Sequence, residues 1–299
     1  MSLSPRAKGY IFTFLSILAV SNVFVFSKAV LNRVAFPQFG FWWFFTGGVY
    51  ILIYGLLMKS FGIYKTFGRR EYFILLINGF LELGGTIYFF KAIQTVPNPS
   101  IVSFLGNLTP VFVVILGTLL LHERFNFREA AGIVITLTGA FLISYKGGNA
   151  WEEMFIDGSE YVLFYTLIFA VNSILLKKFV RKLSPVVLTV NRIIFLTAFF
   201  FIRLWSGPYS FVIPADALKN VWIGSFLGPF LTVILSLHAL KYIEVSKKSV
   251  LGATKGLFVM LLSYLMFKHF PTPLQITGGI LSIIGSILIV TGRLRLKRA

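Results

Sequence analysis

A lysine stands near the middle of the apolar stretch SVLGATKGLFVMLLSYLMF, which covers residues 249–267. At the α-helical rise, Lys255 lies about 14 Å from the predicted start of this helix, too deep for easy snorkelling to the interface. An ammonium group at mid-membrane costs about 2.5 to 3.5 kcal/mol on insertion scales, so such groups usually face a cavity or a partner. Lys255 is therefore a candidate ligand for a substrate carboxylate or phosphate. The alternative is a lysine that is paired internally or reaches an interface.

Glu82 is the one acidic residue that lies deep within a predicted span, near the middle of the third helix. Asn78 precedes it by one helical turn and therefore shares its face. A polar face on an apolar helix indicates contact with protein or with a cavity rather than with lipid. Two interpretations stay open. Glu82 and Lys255 neutralise each other as an internal ion pair, or Glu82 opens to the substrate or to protons.

Further polar and aromatic residues lie at comparable depths in other predicted spans. Asparagines between membrane helices often make only packing hydrogen bonds, worth about 0.6 kcal/mol on average, so a ligand role competes with a structural one. The remaining candidate substrate contacts are Asn22, Asn107, Thr109 and Asn172, with Tyr88 and Phe258 as an apolar wall.

Arg192 in the seventh span and His238 near the inner end of the eighth are interpreted as gating or structural charges rather than ligands. Trp42 and Trp43 lie near the outer end of the second span. Tryptophan is enriched at membrane interfaces, so we interpret this pair as part of a lipid-facing aromatic belt.

The histidines do not form a catalytic or metal-binding pattern. The chain has 3 histidines and no cysteine, and it contains no H-E-x-x-H motif and no glycine-rich phosphate loop. Glu123 follows His122, but Asn126 stands where the second histidine of a zinc motif would be. The sequence therefore predicts no enzymatic activity, no metal and no cofactor.

The composition is that of a membrane protein with several spans. Of 299 residues, 57% are hydrophobic and only 13% are charged, and phenylalanine alone accounts for 34. Apolar runs of about twenty residues recur along the whole length, as spanning helices require. The net charge of +18 comes from residues in short connectors and tails, a distribution typical of a cytoplasmic membrane face rather than of nucleic-acid binding.

The hydropathy pattern predicts an all-α polytopic fold of ten spans. Lysine and arginine are concentrated in the tails and in alternate connectors, which predicts that both termini are cytoplasmic. The predicted spans cover residues 10–31, 38–58, 72–93, 99–121, 127–146, 160–180, 185–206, 218–240, 246–267 and 273–292.

The two halves of the chain resemble each other. Residues 103–140 align without gaps to residues 249–286. The alignment superimposes Ser103 on Ser249 and glycines at three pairs of positions, 106/252, 132/278 and 139/285. The seam glycines Gly132, Gly139, Gly278 and Gly285 predict close helix packing. Five spans per half is an odd number, so the second half would enter the membrane from the opposite side. We therefore predict two inverted five-helix repeats, residues 1–147 and 148–299, with a substrate site near the midplane between them.

Particular residues of this repeat resemble the EamA repeat of the drug/metabolite transporter superfamily. The matching pattern consists of Ala92, Ser103, Pro110, Glu123 and Gly132, together with SNVFVFSK at 21–28. The resemblance implies a ten-helix secondary carrier whose central cavity is lined by helices one, three, four, six, eight and nine. Sugar-phosphate carriers of the same superfamily also place a lysine in the ninth helix, which favours an anionic group near Lys255.

The resemblance and the residues together predict a secondary transporter of a small polar metabolite, an amino acid or a related carboxylate-bearing compound, acting as an exporter by alternating access. The alternatives are an anion exchanger for phosphorylated or nucleotide-like metabolites and a membrane sensor that does not transport. The expected partners are an anionic or zwitterionic small molecule and the lipid bilayer, without nucleic acid. A homodimer is a candidate assembly, and the expected location is the inner (plasma) membrane.

Overall fold

The computed structural model describes residues 4–58, 67–122, 126–147, 154–179, 185–243 and 245–296. Within these residues, ten helices are long and apolar enough to cross a membrane. The same residues contain no β-strand, and one isolated bridge pairs Tyr145 with Phe155. The predicted all-α fold of ten spans is confirmed. Because the number of spans is even, the start of the first and the end of the last lie at one end of the bundle, here named the termini end.

We label the spans α1 to α10 and divide the interrupted ones into two parts. The helices are α1 (Pro5–Leu31), α2 (Phe36–Leu57), α3 (Arg69–Thr95), α4a (Pro99–Leu105), α4b (Leu108–Leu121), α5 (Phe127–Ser144), α6 (Ser159–Phe179), α7 (Pro185–Trp205), α8a (Ala215–Ser225), α8b (Val233–Leu240), α9a (Val245–Ala253), α9b (Lys255–Phe267) and α10 (Pro273–Leu296).

The eighth span is interrupted by a π-helical segment, Phe226–Thr232, that joins α8a to α8b. Pro229 lies inside this segment, and its ring nitrogen has no N–H to donate to the helix ladder. The hydroxyl of Thr232 donates to the Leu227 carbonyl at 2.8 Å, so one carbonyl in the widened turn gains a side-chain donor. Such π turns inside membrane helices often mark functional positions.

Helices α5 and α10 pack closely through small residues. A Cβ atom added to Gly132 would lie 2.7 Å from the Gly285 carbonyl oxygen, and one added to Gly139 would lie 2.6 Å from that of Gly278. The contacts occur in reverse order along the two helices, so α5 and α10 run antiparallel. The predicted small-residue seam is confirmed, and any larger side chain at these positions would separate the helices.

The other helix pairings come in matched couples. Helix α3 packs on α6, and in the same way the eighth span packs on α1. Helix α4b also packs on α6, and its counterpart α9b packs on α1. Likewise α3 contacts α7 as α8a contacts α2, while α2 and α7 pack on each other. In each of these couples, one pairing becomes the other when every helix is replaced by the helix five spans away.

Aromatic side chains fill the half of the bundle farther from the termini end. Phe90 and Phe104 are each 1% exposed, and Trp43 is also only 1% exposed. The indole ring of Trp43 packs over Gly224, where an added Cβ would lie 2.3 Å from the ring. The prediction that Trp43 faces lipid was therefore wrong, because glycines on the eighth span open a core position for this ring. Its neighbour Trp42 donates its indole N–H to the Phe211 carbonyl at 2.8 Å.

Candidate functional site

A cavity of about 850 Å³ extends from the middle of the bundle toward the termini end. Its walls come from the six spans that the resemblance implies, one, three, four, six, eight and nine, and in addition from α10. Most of the lining residues of the first, eighth and tenth spans belong to the halves of these spans nearest the termini end. Ligand sites of this size are ordinarily apolar clefts that carry a few well-placed polar groups.

The fourth and ninth spans are both interrupted at the cavity wall. In the fourth span the Asn107 N–H donates to the Phe104 carbonyl at 3.1 Å, and in the ninth the Thr254 N–H donates to the Leu251 carbonyl at 3.0 Å. These are the tight three-residue bonds of a 3₁₀ turn within an α-helix. Under the alignment of the two halves the two interruptions fall next to each other: residues 106–107 align with residues 252–253, directly before Thr254. Interrupted helices at matched positions indicate where a transporter binds its substrate.

The two interruptions contact each other through Asn107. Its side-chain amide lies 3.5 Å from the Ala253 carbonyl, the residue aligned with Asn107 in the second half, and 3.3 Å from the Ser282 hydroxyl. Asn107 is only 5% exposed, although it contributes to the cavity wall. The amide therefore joins the fourth, ninth and tenth spans at the point where the helices are broken.

Lys255 is the first residue of α9b and lines the cavity, as does Thr109 of α4b, with which it is aligned. The Lys255 ammonium lies 5.9 Å from the centroid of the Phe24 ring, within the range of a cation–π contact. Among the described residues, no carboxylate lies within 4.0 Å of this ammonium. Of the two interpretations of Glu82 that the sequence left open, the internal ion pair with Lys255 is therefore not formed.

Lys248 of α9a is a second cavity lysine that the sequence reasoning missed. Lys248 is partly buried at this wall. Its spacing from Lys255 is seven residues, or two helical turns, which places both residues on similar faces of the ninth span. That spacing was the signal available in the sequence.

Hydroxyl groups supply much of the remaining polar surface of the cavity. Ser16 and Ser236 bring their hydroxyl oxygens within 2.9 Å of each other across α1 and α8b. Hydroxyls both donate and accept, so they can bind either oxygen or N–H groups of a ligand. The hydroxyl residues of the wall include Thr13, Ser16, Thr109, Ser173, Thr232 and Ser236.

Glu82 takes part in a separate polar cluster between α3, α6 and α7. Its carboxylate lies 3.3 Å from Arg192 Nε and accepts a hydrogen bond of 2.7 Å from the Asn172 amide. The Asn78 amide donates to Asn172 at 2.9 Å, and Asn191 donates to Asn78 at 3.3 Å. None of these residues belongs to the cavity wall. The structural pairing predicted for Arg192 is present, and its partner is Glu82.

The other predicted site residues also lie away from the cavity wall. The Asn22 amide donates to the Leu18 carbonyl of its own helix at 2.7 Å. The Tyr88 ring packs 5.1 Å from that of Phe164, and Phe258 packs edge-on to Phe14 at 5.5 Å. His238 places Nδ1 2.9 Å from the Ile234 carbonyl oxygen. Of the residues predicted to contact substrate, the structure brings together Lys255, Asn107 and Thr109 at the cavity.

The end of the bundle opposite the termini is closed by aromatic packing and by polar contacts between helices. The Phe24 and Phe89 rings meet edge-on with centroids 5.2 Å apart, at the blind end of the cavity. Nearer the surface, the Ser263 hydroxyl of α9b donates to the Asn98 amide oxygen at 3.1 Å, ahead of α4a. The Asn98–Ser263 contact joins the fourth span to the ninth at this end, whereas the cavity of about 850 Å³ extends toward the termini end.

A family model for the EamA-like transporter family matches residues 7–145 and 158–291 of this chain. The chain belongs to the EamA-like transporter family. It is therefore a multi-pass membrane protein of a transporter family. A transporter embedded in the lipid bilayer binds small-molecule substrates. The family resemblance stated from the repeat residues is confirmed.

Relatives of this EamA protein carry the same general description. An uncharacterized transporter of Synechocystis sp. is 25% identical over 74% of this chain and 66% of its own length. Another, from Archaeoglobus fulgidus, is 25% identical over 81% of this chain and 83% of its own. A solved crystal structure matches 98% of this chain and 99% of its own with a TM-score of 0.66 at 18% identity, a likeness that concerns the fold. The named relatives are transporters rather than enzymes.

Proposed function

We propose that the protein is a secondary transporter that binds a small carboxylate-bearing metabolite at Lys255. The observation that carries the proposal is an ammonium without a carboxylate partner among the described residues, placed where two interrupted helices meet in a large cavity. A buried cation without a counter-ion is costly, and an anionic substrate would offset that cost. The substrate carboxylate therefore binds the Lys255 ammonium, and cavity hydroxyls orient the rest of the molecule.

Alternating access would follow from two inverted repeats that rock about the cavity. The antiparallel α5–α10 seam supports this, because Gly132 contacts Gly285 while their aligned counterparts Gly278 and Gly139 contact each other. An exchange of that kind is what a two-fold axis between the repeats produces. The matched couples of helix pairings support the same axis. In the second conformation the Asn98–Ser263 contact would open and the termini end would close.

In an export cycle this conformation would be the one that takes up substrate. The cavity extends toward the termini end, and the concentration of lysine and arginine there predicts that this end is cytoplasmic. Substrate would then enter from the cytoplasm and leave on the other side after the bundle rocks. The inner membrane and a homodimeric assembly stay predictions from the sequence.

Exchange of larger anions, including phosphorylated metabolites, is the second candidate function. The observation that favours it is Lys248, which adds a second positive charge to the same cavity. An exchanger and an exporter share one binding site and one conformational cycle. They differ in whether the empty carrier can reorient, which a comparison of net flux with exchange flux measures.

Binding is tested with the purified full-length protein, a panel of amino acids and carboxylic acids, and thermal unfolding as the readout. We expect one or more carboxylates to raise the Tm of the wild type, and Lys255→Gln to abolish that shift. Lys268→Gln is the matched control, because Lys268 ends the same helix and its ammonium also lies over a ring, at 5.6 Å from Tyr264, but outside the cavity. Stabilisation that survives in Lys255→Gln, or that comes only from cations, would reject the proposal.

A further inference from the structure

Two lysines, Lys248 and Lys255, line one cavity, and only Lys255 has a part in the function proposed above. They stand on the two halves of the interrupted ninth span, on either side of Thr254. Lys255 lies at the blind end near Phe24, and Lys248 lies closer to the termini end. A molecule that enters from the termini end passes Lys248 before it reaches Lys255.

The charges around the two lysines are not balanced by the protein. None of the described residues that line the cavity is an aspartate or a glutamate, and neither ammonium has a described carboxylate within 4.0 Å. Glu82, the carboxylate at comparable depth, is held by Arg192 outside the cavity wall. A monoanion bound at Lys255 would therefore leave the cavity with a net positive charge, whereas a dianion would neutralise it.

The spacing of the two lysines indicates how the negative charges of the ligand are arranged. Seven helical residues separate their Cα atoms by about 10 Å along the axis. Two ammonium groups anchored that far apart suit two separate anionic groups better than the two charges of a single phosphate. Hydroxyls such as Ser236 and Thr232 lie in the same cavity and can contact the segment between those groups.

We propose that Lys248 is a second anion ligand and that the substrate is a dianion with one anionic group at each end, of the dicarboxylate class. This inference rests on the proposed function and specifies its substrate. Lys255 binds the leading carboxylate at the blind end, and Lys248 binds the trailing one.

The test compares succinate with butyrate, which have the same number of carbons but two carboxylates and one. Thermal unfolding of the purified full-length protein, titrated with each acid, gives an apparent affinity. We expect succinate to bind about ten-fold more tightly than butyrate, a difference of about 1.4 kcal/mol. Lys248→Gln should remove this preference by lowering succinate affinity more than butyrate affinity, and Lys248→Arg should retain it. Lys241→Gln, an exposed lysine just before α9a, is the control and should behave as the wild type.

The outcomes separate this inference from the proposed function. The role of Lys248 is overturned if the wild type binds the two acids with equal affinity, or if Lys248→Gln still prefers succinate. In either case, loss of carboxylate binding in Lys255→Gln would still support the proposed function. Tighter binding of glycerol 3-phosphate than of succinate overturns the assignment of two separate anionic groups. If neither acid stabilises the wild type and no other carboxylate does, both proposals are wrong.

Discussion

Lys28 and Lys255 both lie within membrane-length helices, but their ammonium groups meet different neighbours. Lys28 is 7% exposed, and its Nζ donates to the carbonyls of Gln94 and Val96 at 2.8 and 2.9 Å. Those carbonyls end α3, where a positive charge also complements the helix dipole. Lys255 instead faces a cavity and the Phe24 ring. The first lysine is satisfied by the fold, and the second is available to a ligand.

Replacing Lys28 should therefore destabilise the protein, whereas replacing Lys255 should not. In Lys28→Met the carbonyls that end α3 lose a charged donor inside the protein, a change that costs about 1 to 3 kcal/mol. We expect the Tm of Lys28→Met to fall by several degrees and that of Lys255→Gln to stay near the wild-type value. Thermal unfolding without ligand measures both, and an equal fall in the two variants would show that Lys255 is structural too.

The sequence predicted the depth of Lys255 but could not distinguish its role from that of Lys28. Both are lysines in apolar helices, and hydropathy does not reveal which group lies opposite. The same limit explains the partner of Glu82. Arg192 and Lys255 were both intramembrane cations, and only the packing of α3 against α7 places the guanidinium beside the carboxylate.

At the scale of elements, the interrupted fourth and ninth spans give the cavity its wall. The aligned glycines Gly106 and Gly252 stand just before the two breaks but have different surroundings. A Cβ added to Gly106 would lie 2.8 Å from the Tyr165 hydroxyl, whereas one added to Gly252 would meet nothing within 4 Å. Gly252 thus borders open cavity, so a side chain placed there would project into the space that we assign to the substrate.

A large side chain at Gly252 should block transport without unfolding the protein. We expect transport to fall progressively through Gly252→Ala, Gly252→Leu and Gly252→Phe, to below one tenth in the last, with little change in Tm. Gly256→Phe is the contrasting variant, since its Cβ would lie 2.4 Å from the Phe104 ring and should lower the Tm. Undiminished flux in a well-folded Gly252→Phe would mean that substrate does not use this cavity.

The ten helices could be predicted from apolar runs of membrane length, because in lipid each spanning segment must form its backbone hydrogen bonds within itself. The interruptions did not follow from that pattern. Pro229 does signal an irregular helix, because it has no N–H to donate, but it does not predict a π segment that packs against α1 and α2. Matched glycines located the α5–α10 seam correctly, since small residues at helical spacing have few other reasons to recur.

At the scale of the whole molecule, the aromatic packing and the cavity lie toward opposite ends of the bundle. At one end phenylalanine rings pack together and Asn98 contacts Ser263, and the cavity that contains Lys255 extends toward the other end. A two-fold relation between the halves would allow the same contacts to form at either end in turn. The lysine at the boundary between the sealed and open parts would then be accessible from each side in alternation, as a carrier requires.

The account depends most on the claim that the Lys255 ammonium binds the transported anion in this cavity. Counterflow in proteoliposomes tests it directly, with the radiolabelled carboxylate that most stabilises the wild type as the probe. We predict accumulation by the wild type and by Lys268→Gln, and none above protein-free liposomes by an equally well-folded Lys255→Gln. Accumulation by Lys255→Gln at the wild-type rate would contradict the account.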